Sequence, residues 1–350
     1  MSRHAIIEAD LRSICESDLP WPAFQGKTVV VSGANGFLPA YMVETLLYLN
    51  ETRSGQQTSV IGLVRSLERA TRRFEAYRGR KDLQLIVHDV TQPLPPMARA
   101  DFIVHAASPA SPKYFGSDPV GTLAANVLGT HHLLTLARDC RAEALLLFSS
   151  GEVYGQPVQP CEQVCERDQG IVDHLQVRSC YAESKRMAET MCVCWQYQFQ
   201  VPAKIVRISH TYGPGMRLDD GRVFADFVAD VVHRRPIVMK SDGAARRPFC
   251  YIADAAKAFF AVLLKGKPGE AYNVANDQEE CSVLELAQML VGLFPERHLH
   301  VVRQARSAGD TYLPCSVQPP RPDVTKVKAL GWSPGIDLRE GFRRTVQSFE

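Results

Sequence analysis

Thr28-Val-Val-Val-Ser-Gly33-Ala-Asn35-Gly36-Phe37-Leu38-Pro39-Ala40-Tyr-Met-Val-Glu-Thr-Leu-Leu47 decides the fold of this chain. A β-branched run, two glycines three residues apart and apolar residues at helical spacing read as strand, tight turn and helix. Gly33 permits the turn. Gly36 lets backbone N–H groups approach a pyrophosphate at the helix N-terminus. Asn35, Phe37 and Leu38 complete the loop and are expected to line a dinucleotide with it. Where a third glycine is expected, Pro39 stands instead, followed by Ala40. Proline is tolerated in the first turn of a helix, so the change bears on helix–strand packing more than on phosphate. An ordinary βα turn is the alternative; strand, turn and helix in that order favour the cofactor.

Working outward, strand-like segments recur at residues 28–32, 59–64, 83–88, 102–106, 144–149 and 203–208, with apolar periodic stretches such as 120–138 and 181–198 between them. That alternation predicts an α/β fold, a Rossmann-type doubly wound parallel sheet with helices on both faces. Residues 156–180 and 303–320 are turn-rich and read as long loops suited to covering a substrate. Residues 1–26 form an N-terminal extension, acidic and amphipathic through Ile6, Ile7, Leu11, Ile14 and Cys15. They read as a short docked helix rather than a signal peptide.

With 350 residues, a formal net charge of +2 and 22% charged residues, the chain has no basic stripe for nucleic acid. No apolar run reaches the length of a membrane span. The ten cysteines show no repeated CxxC spacing and no accompanying histidine cluster. They are expected to be buried, reduced thiols of a cytoplasmic enzyme, with no metal site.

The chemistry is carried by Tyr181-Ala-Glu-Ser-Lys185 and by Ser149-Ser150-Gly151-Glu152-Val-Tyr-Gly155. A phenol and an ammonium four residues apart on a helix point the same way. A nearby cation favours the phenolate, so Lys185 is expected to lower the pKa of Tyr181. Such a tyrosine takes a proton from a sugar hydroxyl while hydride leaves the same carbon.

With these motifs, with His105-Ala-Ala-Ser108-Pro-Ala-Ser-Pro112, Gly213-Pro214, Asp220-Gly-Arg222-Val223, Arg247-Pro-Phe-Cys-Tyr-Ile-Ala-Asp254 and Arg321-Pro-Asp323, the chain resembles the extended short-chain dehydrogenase/reductases acting on nucleotide sugars. It is most similar to their UDP-glucuronate decarboxylase branch. The resemblance implies that residues 27–207 bind the cofactor, with 248–274 returning to that domain, and that 208–247 and 275–350 form a smaller α/β substrate lobe. It implies Ser150, Glu152, Tyr181 and Lys185 as catalytic residues. Asp89 and Val90 are placed near the adenine, and the backbone of Ala106 and Ala107 along the cofactor. Ser108, His210, Arg222, Val223, Arg247 and Arg321 are placed around a nucleotide-diphosphate sugar, and a homodimer is expected.

Three features bear on the reaction. After the second strand no acid is present to bind ribose hydroxyls; Arg65 stands there, with Arg69, Arg72 and Arg73 following. Arg65 suits a 2′-phosphate, which inclines the choice between NAD and NADP towards NADP; the alternative is a solvated helix face with Arg65 over the adenine. Glu152 is expected in 4,6-dehydratases and glucuronate decarboxylases and not in simple epimerases or ketoreductases; its alternative is a structural carboxylate at a strand end. Gly151 carries no proton donor, which disfavours 4,6-dehydration and departs from the serine of the decarboxylase pattern. The rival readings are a 4-ketoreductase of a dTDP-4-keto-6-deoxyhexose, a nucleotide-sugar 4-epimerase and, outside catalysis, a nucleotide-sugar or NADP-sensing scaffold. Helices over 120–138 and 181–198 carry Leu123, Val127, Leu133, Met187, Met191 and Trp195 on more than one face, which fits a helical dimer interface or buried crossover helices.

Overall fold

Strands with near-continuous apolar sequence are stable in a parallel sheet only when both faces are covered, and this chain covers both. The computed structural model describes residues 3–55, 57–159, 161–304 and 320–350. Its sheet contains β1 (Thr28–Ser32), β2 (Ser59–Val64), β3 (Leu83–Val87), β4 (Phe102–His105), β5 (Ala144–Ser150), β6 (Ala203–Ile208) and β7 (Ala271–Val274). All seven are parallel, in the order β7-β6-β5-β4-β1-β2-β3. The strands at 28–32, 59–64 and 203–208 have the expected limits. β3 and β4 each stop one residue early. β5 runs one residue further, because Ser150 pairs with Ile208.

Successive side chains of a strand face opposite sides, and the core divides accordingly. Val29, Val31, Val104, Leu146 and Phe148 pack with α2 (Phe37–Thr52) and α8 (Ile252–Lys265). Val30, Ile103, Leu145 and Leu147 pack with α5 (Pro119–Asp139) and α6 (Cys180–Phe199). Between α2 and α5 lie α3 (Leu67–Arg73) and the short α4 (Pro112–Ser117). The remaining helices are α7 (Val223–Val232), α9 (Val283–Leu293), α10 (Thr325–Lys328) and α11 (Leu338–Gln347).

The N-terminal extension folds as helix α1 (Ala5–Cys15), with Leu11 and Ile14 fully buried against α2 and α8. Asp10 is buried with them. Its Oδ2 accepts from Tyr41 (3.1 Å) and Tyr251 (2.8 Å), and its Oδ1 from Arg344 (3.4 Å), so one carboxylate ties α1 to α2, to the residue that caps α8, and to α11.

The loop at 156–180 holds short pairings: Gln156–Pro157 with Gly170–Ile171, and Gln163–Val164 with Arg321–Pro322. Of the second expected loop, residues 305–319 lie outside the described residues. No disulfide forms among the described cysteines, but burial is not general. Cys15, Cys180, Cys192, Cys250 and Cys281 are buried, whereas Cys161 and Cys194 are exposed on a loop and on an outward helix face. Among the described residues no helix is long and apolar enough to cross a membrane.

Candidate active site

The site lies at the C-terminal ends of β1, β4 and β5. On its first side, Gly33 has φ +66°, and a Cβ there would meet the Ala107 Cα at 2.9 Å. Only glycine satisfies both constraints. Gly36 caps α2 without a side-chain hydrogen bond, its own N–H donating to the Gly33 carbonyl (2.7 Å). The first-turn amides of Phe37 and Leu38 have no intrahelical acceptor. Pro39 falls in that turn, where its missing N–H costs nothing. Asn35, Phe37 and Leu38 are half-buried along the same rim.

Ser32 Oγ organises the facing edge. It lies 2.8 Å from His105 Nδ1 and accepts from the amides of Ala106 (3.1 Å) and Ala107 (3.2 Å). Burial lowers the His105 pKa to about 3, with Lys185 adding to the effect. Its ring is therefore neutral and hydrogen-bonded to the Ser32 hydroxyl. The next residue, Ser108, has a buried Oγ with no hydrogen-bond partner among the described residues. A turn with no room for a side chain, uncapped amides at the start of a 16-residue helix and an orphaned hydroxyl fit a dinucleotide diphosphate and its neighbouring substrate. Val90 is buried close by. Asp89 is exposed; the Thr91 amide holds its carboxyl below the usual range, and Arg65, exposed at the end of β2, adds to this. The arginines after Arg65 do not act together. Arg72 pairs with Glu68 on the surface, while Arg73 turns inward to a bidentate pair with buried Glu44.

On the second side, β5 delivers Ser150 and α6 delivers Tyr181 and Lys185. Tyr181 is buried, and its ring stacks on Phe115 of α4 (4.8 Å between centroids, 22° between planes). Burial pushes its pKa up to about 12, and Glu152 raises it further; Arg222, a hydrogen bond with Ser150, and Arg178 oppose the rise. The expectation that Lys185 lowers this pKa is therefore corrected: the opposing cations are two arginines from elsewhere in the chain. Lys185 is itself buried, which lowers its pKa to about 7 against the field of Glu189. Its Nζ donates to the Phe148 carbonyl (2.7 Å) and lies 5.8 Å from the Tyr181 ring centroid. A lysine so stripped of water is a weak source of positive field at neutral pH.

Glu152 is a half-exposed carboxylate in a bidentate pair with Arg178 (2.9 and 2.8 Å). Arg178 also lies 4.6 Å from the centroid of Phe115, the ring that stacks on Tyr181. Arg222, at the N-cap of α7, donates to the Ala110 carbonyl (2.7 Å) and pairs with Asp220 (3.2 Å); Val223 opens that helix. Ser111 donates to the Asp220 carbonyl and Lys113 to that of Asp219, so segments 110–113 and 219–222 are bound together over Tyr181. Burial, then Arg247 and Arg222, depress the His210 pKa to about 3. This neutral imidazole sits edge-on to Phe224 and Phe249. Thus Ser150, Glu152, Tyr181, Lys185, His210, Arg222 and Arg247 come together in one electrostatic neighbourhood. Arg321 does not join them through any contact among the described residues; its backbone N–H meets Glu162. Arg246 pairs with Glu280 and Glu285 on the surface.

Sequence reasoning missed Arg178, Phe115 and the Ser32–His105 hub. For Arg178 the signal was its place three residues before Tyr181. For Phe115 there was none, because its role comes from tertiary stacking.

Residues 29–275 match the NAD dependent epimerase/dehydratase family. The chain is 33% identical over 326 residues to UDP-glucuronic acid decarboxylase 5 of Arabidopsis thaliana, covering 92% of this chain and 89% of the relative. It is 32% identical to UDP-glucuronic acid decarboxylase 1 of Danio rerio, covering 92% and 72%. Its fold matches the UDP-glucuronic acid 4-epimerase of Bacillus cereus, solved with UDP-glucuronic acid and NAD, at TM-score 0.77 and 21% identity, over 92% and 98% of the two chains.

Proposed function

We propose, from the premise that this chain belongs to the NAD dependent epimerase/dehydratase family, that it oxidises a nucleotide-diphosphate sugar at carbon 4 and that the substrate is UDP-glucuronate, which it decarboxylates. The observation that carries the reading is the meeting of Ser150, Tyr181 and Lys185 with Glu152 and Arg178 beside a glycine turn shaped for a dinucleotide. A nicotinamide dinucleotide, when bound, supplies the hydride acceptor and returns the hydride.

Tyr181 takes the proton of the carbon-4 hydroxyl, passed through the Ser150 hydroxyl. Lys185, near neutrality in its own titration, gains charge as anionic groups enter the cleft and then favours the phenolate. Once carbon 4 is a ketone, the carboxylate lies β to it. Carbon dioxide leaves with the bonding electrons accepted by that ketone, and Ser150 and Tyr181 hydrogen-bond the enolate oxygen. Carbon 5 then takes a proton, and return of the hydride to carbon 4 with the Tyr181 proton leaves no net change of oxidation state. Arg222 and Arg247, flanking a His210 held neutral, suit the diphosphate. Arg65 favours NADP over NAD. In this reading residues 27–207 with 248–274 hold the cofactor, and 208–247 with 275–350, Arg321 among them, hold the nucleotide sugar.

The assembly proposed is a homodimer built on α5 and α6, whose outer faces expose Val120, Leu123, Leu128, Met187, Val193 and Tyr197. Leu133 belongs to the buried core instead.

One observation favours a second reading, reduction of a 4-keto-6-deoxy sugar nucleotide. A Cβ on Gly151 would make only ordinary contacts, with the Ile208 carbonyl oxygen at 3.9 Å and Ser209 Oγ at 4.0 Å, so the position tolerates a side chain with a donor and has none. Glu152 meanwhile is engaged by Arg178 rather than turned to a substrate. Purified protein is incubated with UDP-glucuronate, and separately with dTDP-4-keto-6-deoxyglucose and NADPH. Carbon dioxide released without added cofactor supports decarboxylation. NADPH consumed only with the keto sugar overturns it in favour of the reductase.

A further inference from the structure

Between Glu152 and Tyr181 the chain places a side chain that the catalytic scheme above does not use. The 173–179 turn is fixed by Asp173, whose carboxylate accepts from the Leu175 amide (3.1 Å) and the Gln176 side chain (3.1 Å), while its carbonyl accepts from Ser179 Oγ (2.5 Å). The single helical turn Val177–Ser179 that follows aims Arg178 inward. There both ends of its guanidinium meet the two oxygens of Glu152, and its plane approaches the Phe115 ring that stacks on Tyr181. A bidentate fork fixes a carboxylate in direction as well as distance.

We propose that Arg178 is a positioning residue for the reaction, holding the Glu152 carboxylate in one geometry and offsetting its negative charge beside the Tyr181 phenol. The electrostatics agree: Glu152 makes Tyr181 harder to ionise, and Arg178 opposes it. The other groups facing that phenol are Ser150 from β5, Arg222 from the start of α7, and Lys185 on its own helix. Without Arg178, an uncompensated carboxylate disfavours the phenolate when the sugar hydroxyl must lose its proton. The inference rests on Tyr181 being the proton-transfer group.

The test separates the two ideas because its first arm needs no substrate. Protein labelled with 13C at the tyrosine ζ carbons is titrated by NMR, and the Tyr181 signal is identified by its loss in Tyr181→Phe. Arg178→Met is expected to raise the Tyr181 midpoint by about half a pH unit or more, and Glu152→Gln to lower it; the double variant returns close to wild type. Arg178→Lys, whose ammonium loses its proton at about pH 10 and is therefore neutral at that midpoint, is expected to raise it as Arg178→Met does. In the second arm, with whichever sugar nucleotide the protein turns over, Arg178→Lys loses about tenfold in kcat with KM little changed, since an ammonium cannot reproduce the fork. An unmoved midpoint in Arg178→Met, or full turnover in Arg178→Lys, overturns the proposal. If Arg178→Met does not fold, Glu152→Gln must still lower the midpoint and Arg178→Lys must still lose turnover; failure of either is equally decisive.

Discussion

The two sides of the cleft are built differently. Around Gly33 the geometry comes from one strand, one turn and one helix contiguous in sequence, touched from outside mainly by Ala107. Around Tyr181 it comes from α4, the end of β5, the turns at 151–154 and 177–179, α6 and the start of α7, so that its charges arrive from distant parts of the chain. The first is a backbone device, tolerant of many side chains but not of a Cβ at one point. The second is an electrostatic device, in which each side chain sets the behaviour of the next. Substitutions should therefore fail in different ways on the two sides.

The largest effect is expected at Tyr181. Removing its hydroxyl in Tyr181→Phe keeps the ring stacked on Phe115, so the protein folds and binds dinucleotide while turnover falls by about 10²–10⁴-fold. A steady-state assay beside a thermal melt checks this. A Tyr181→Phe enzyme with more than a tenth of wild-type kcat would remove the phenol from the chemistry and leave the second side a binding surface only.

Next comes the clasp that joins the cofactor helix α2 to the C-terminal helix α11. Burial raises the Asp10 pKa to about 6, with hydrogen bonds from Tyr251 and Tyr41 and the Arg344 charge limiting the rise. An aspartate raised above its ordinary value binds its proton more tightly when folded than when unfolded. Its favourable contribution is thus complete below about pH 4 and is lost as pH climbs through 6, by about 3 kcal/mol. Asp10→Asn accepts the same two tyrosine hydrogen bonds without charge. It should melt higher than wild type at pH 8 and match it near pH 4. Equal melting temperatures at both values would mean that Arg344 neutralises Asp10 completely.

A smaller loss belongs to the turn. Gly33→Ala must hold φ near +66° and push on the Ala107 backbone, at about 2 kcal/mol, which is about thirtyfold in dinucleotide affinity. Fluorescence titration with NADH or NADPH measures it. Because the strain is in the backbone, Tyr181 should keep its titration in this variant. A shift there would show that the two sides are coupled through Ala107 and Ser108.

This contrast also explains what could be read from the chain beforehand. The parallel sheet was legible because Thr28–Ser32, Ser59–Val64 and Ala203–Ile208 announce themselves by composition and bounding turns. Gly33 was legible because few residues adopt its conformation, with φ at +66°. The tuning of Tyr181 was not legible. Lys185, four residues away, looked like the controlling cation, yet burial weakens it and Arg222 and Arg178 act instead. Likewise Arg73 sat in a run of arginines that looked solvated, and only the fold shows it paired with buried Glu44. Periodicity records which face is buried, but it does not record which charges meet once it is.

Arg65 offers the smallest effect, and it returns to the backbone side of the comparison. It is the one strongly charged group there that sequence reasoning used to choose between cofactors, and it is exposed. Its influence already reaches Asp89, whose carboxyl is held low first by the Thr91 amide and then by Arg65. An exposed guanidinium acts through solvent and is screened by salt. Arg65→Ala should therefore weaken NADP by only about three- to tenfold and NAD by less than about twofold, with the difference shrinking at high ionic strength. Calorimetric titration with each dinucleotide at low and high salt reads all four affinities. Equal weakening of both, insensitive to salt, would show Arg65 lying flat on the adenine rather than meeting a 2′-phosphate. The first side would then be a backbone device throughout, with cofactor choice left to groups other than Arg65.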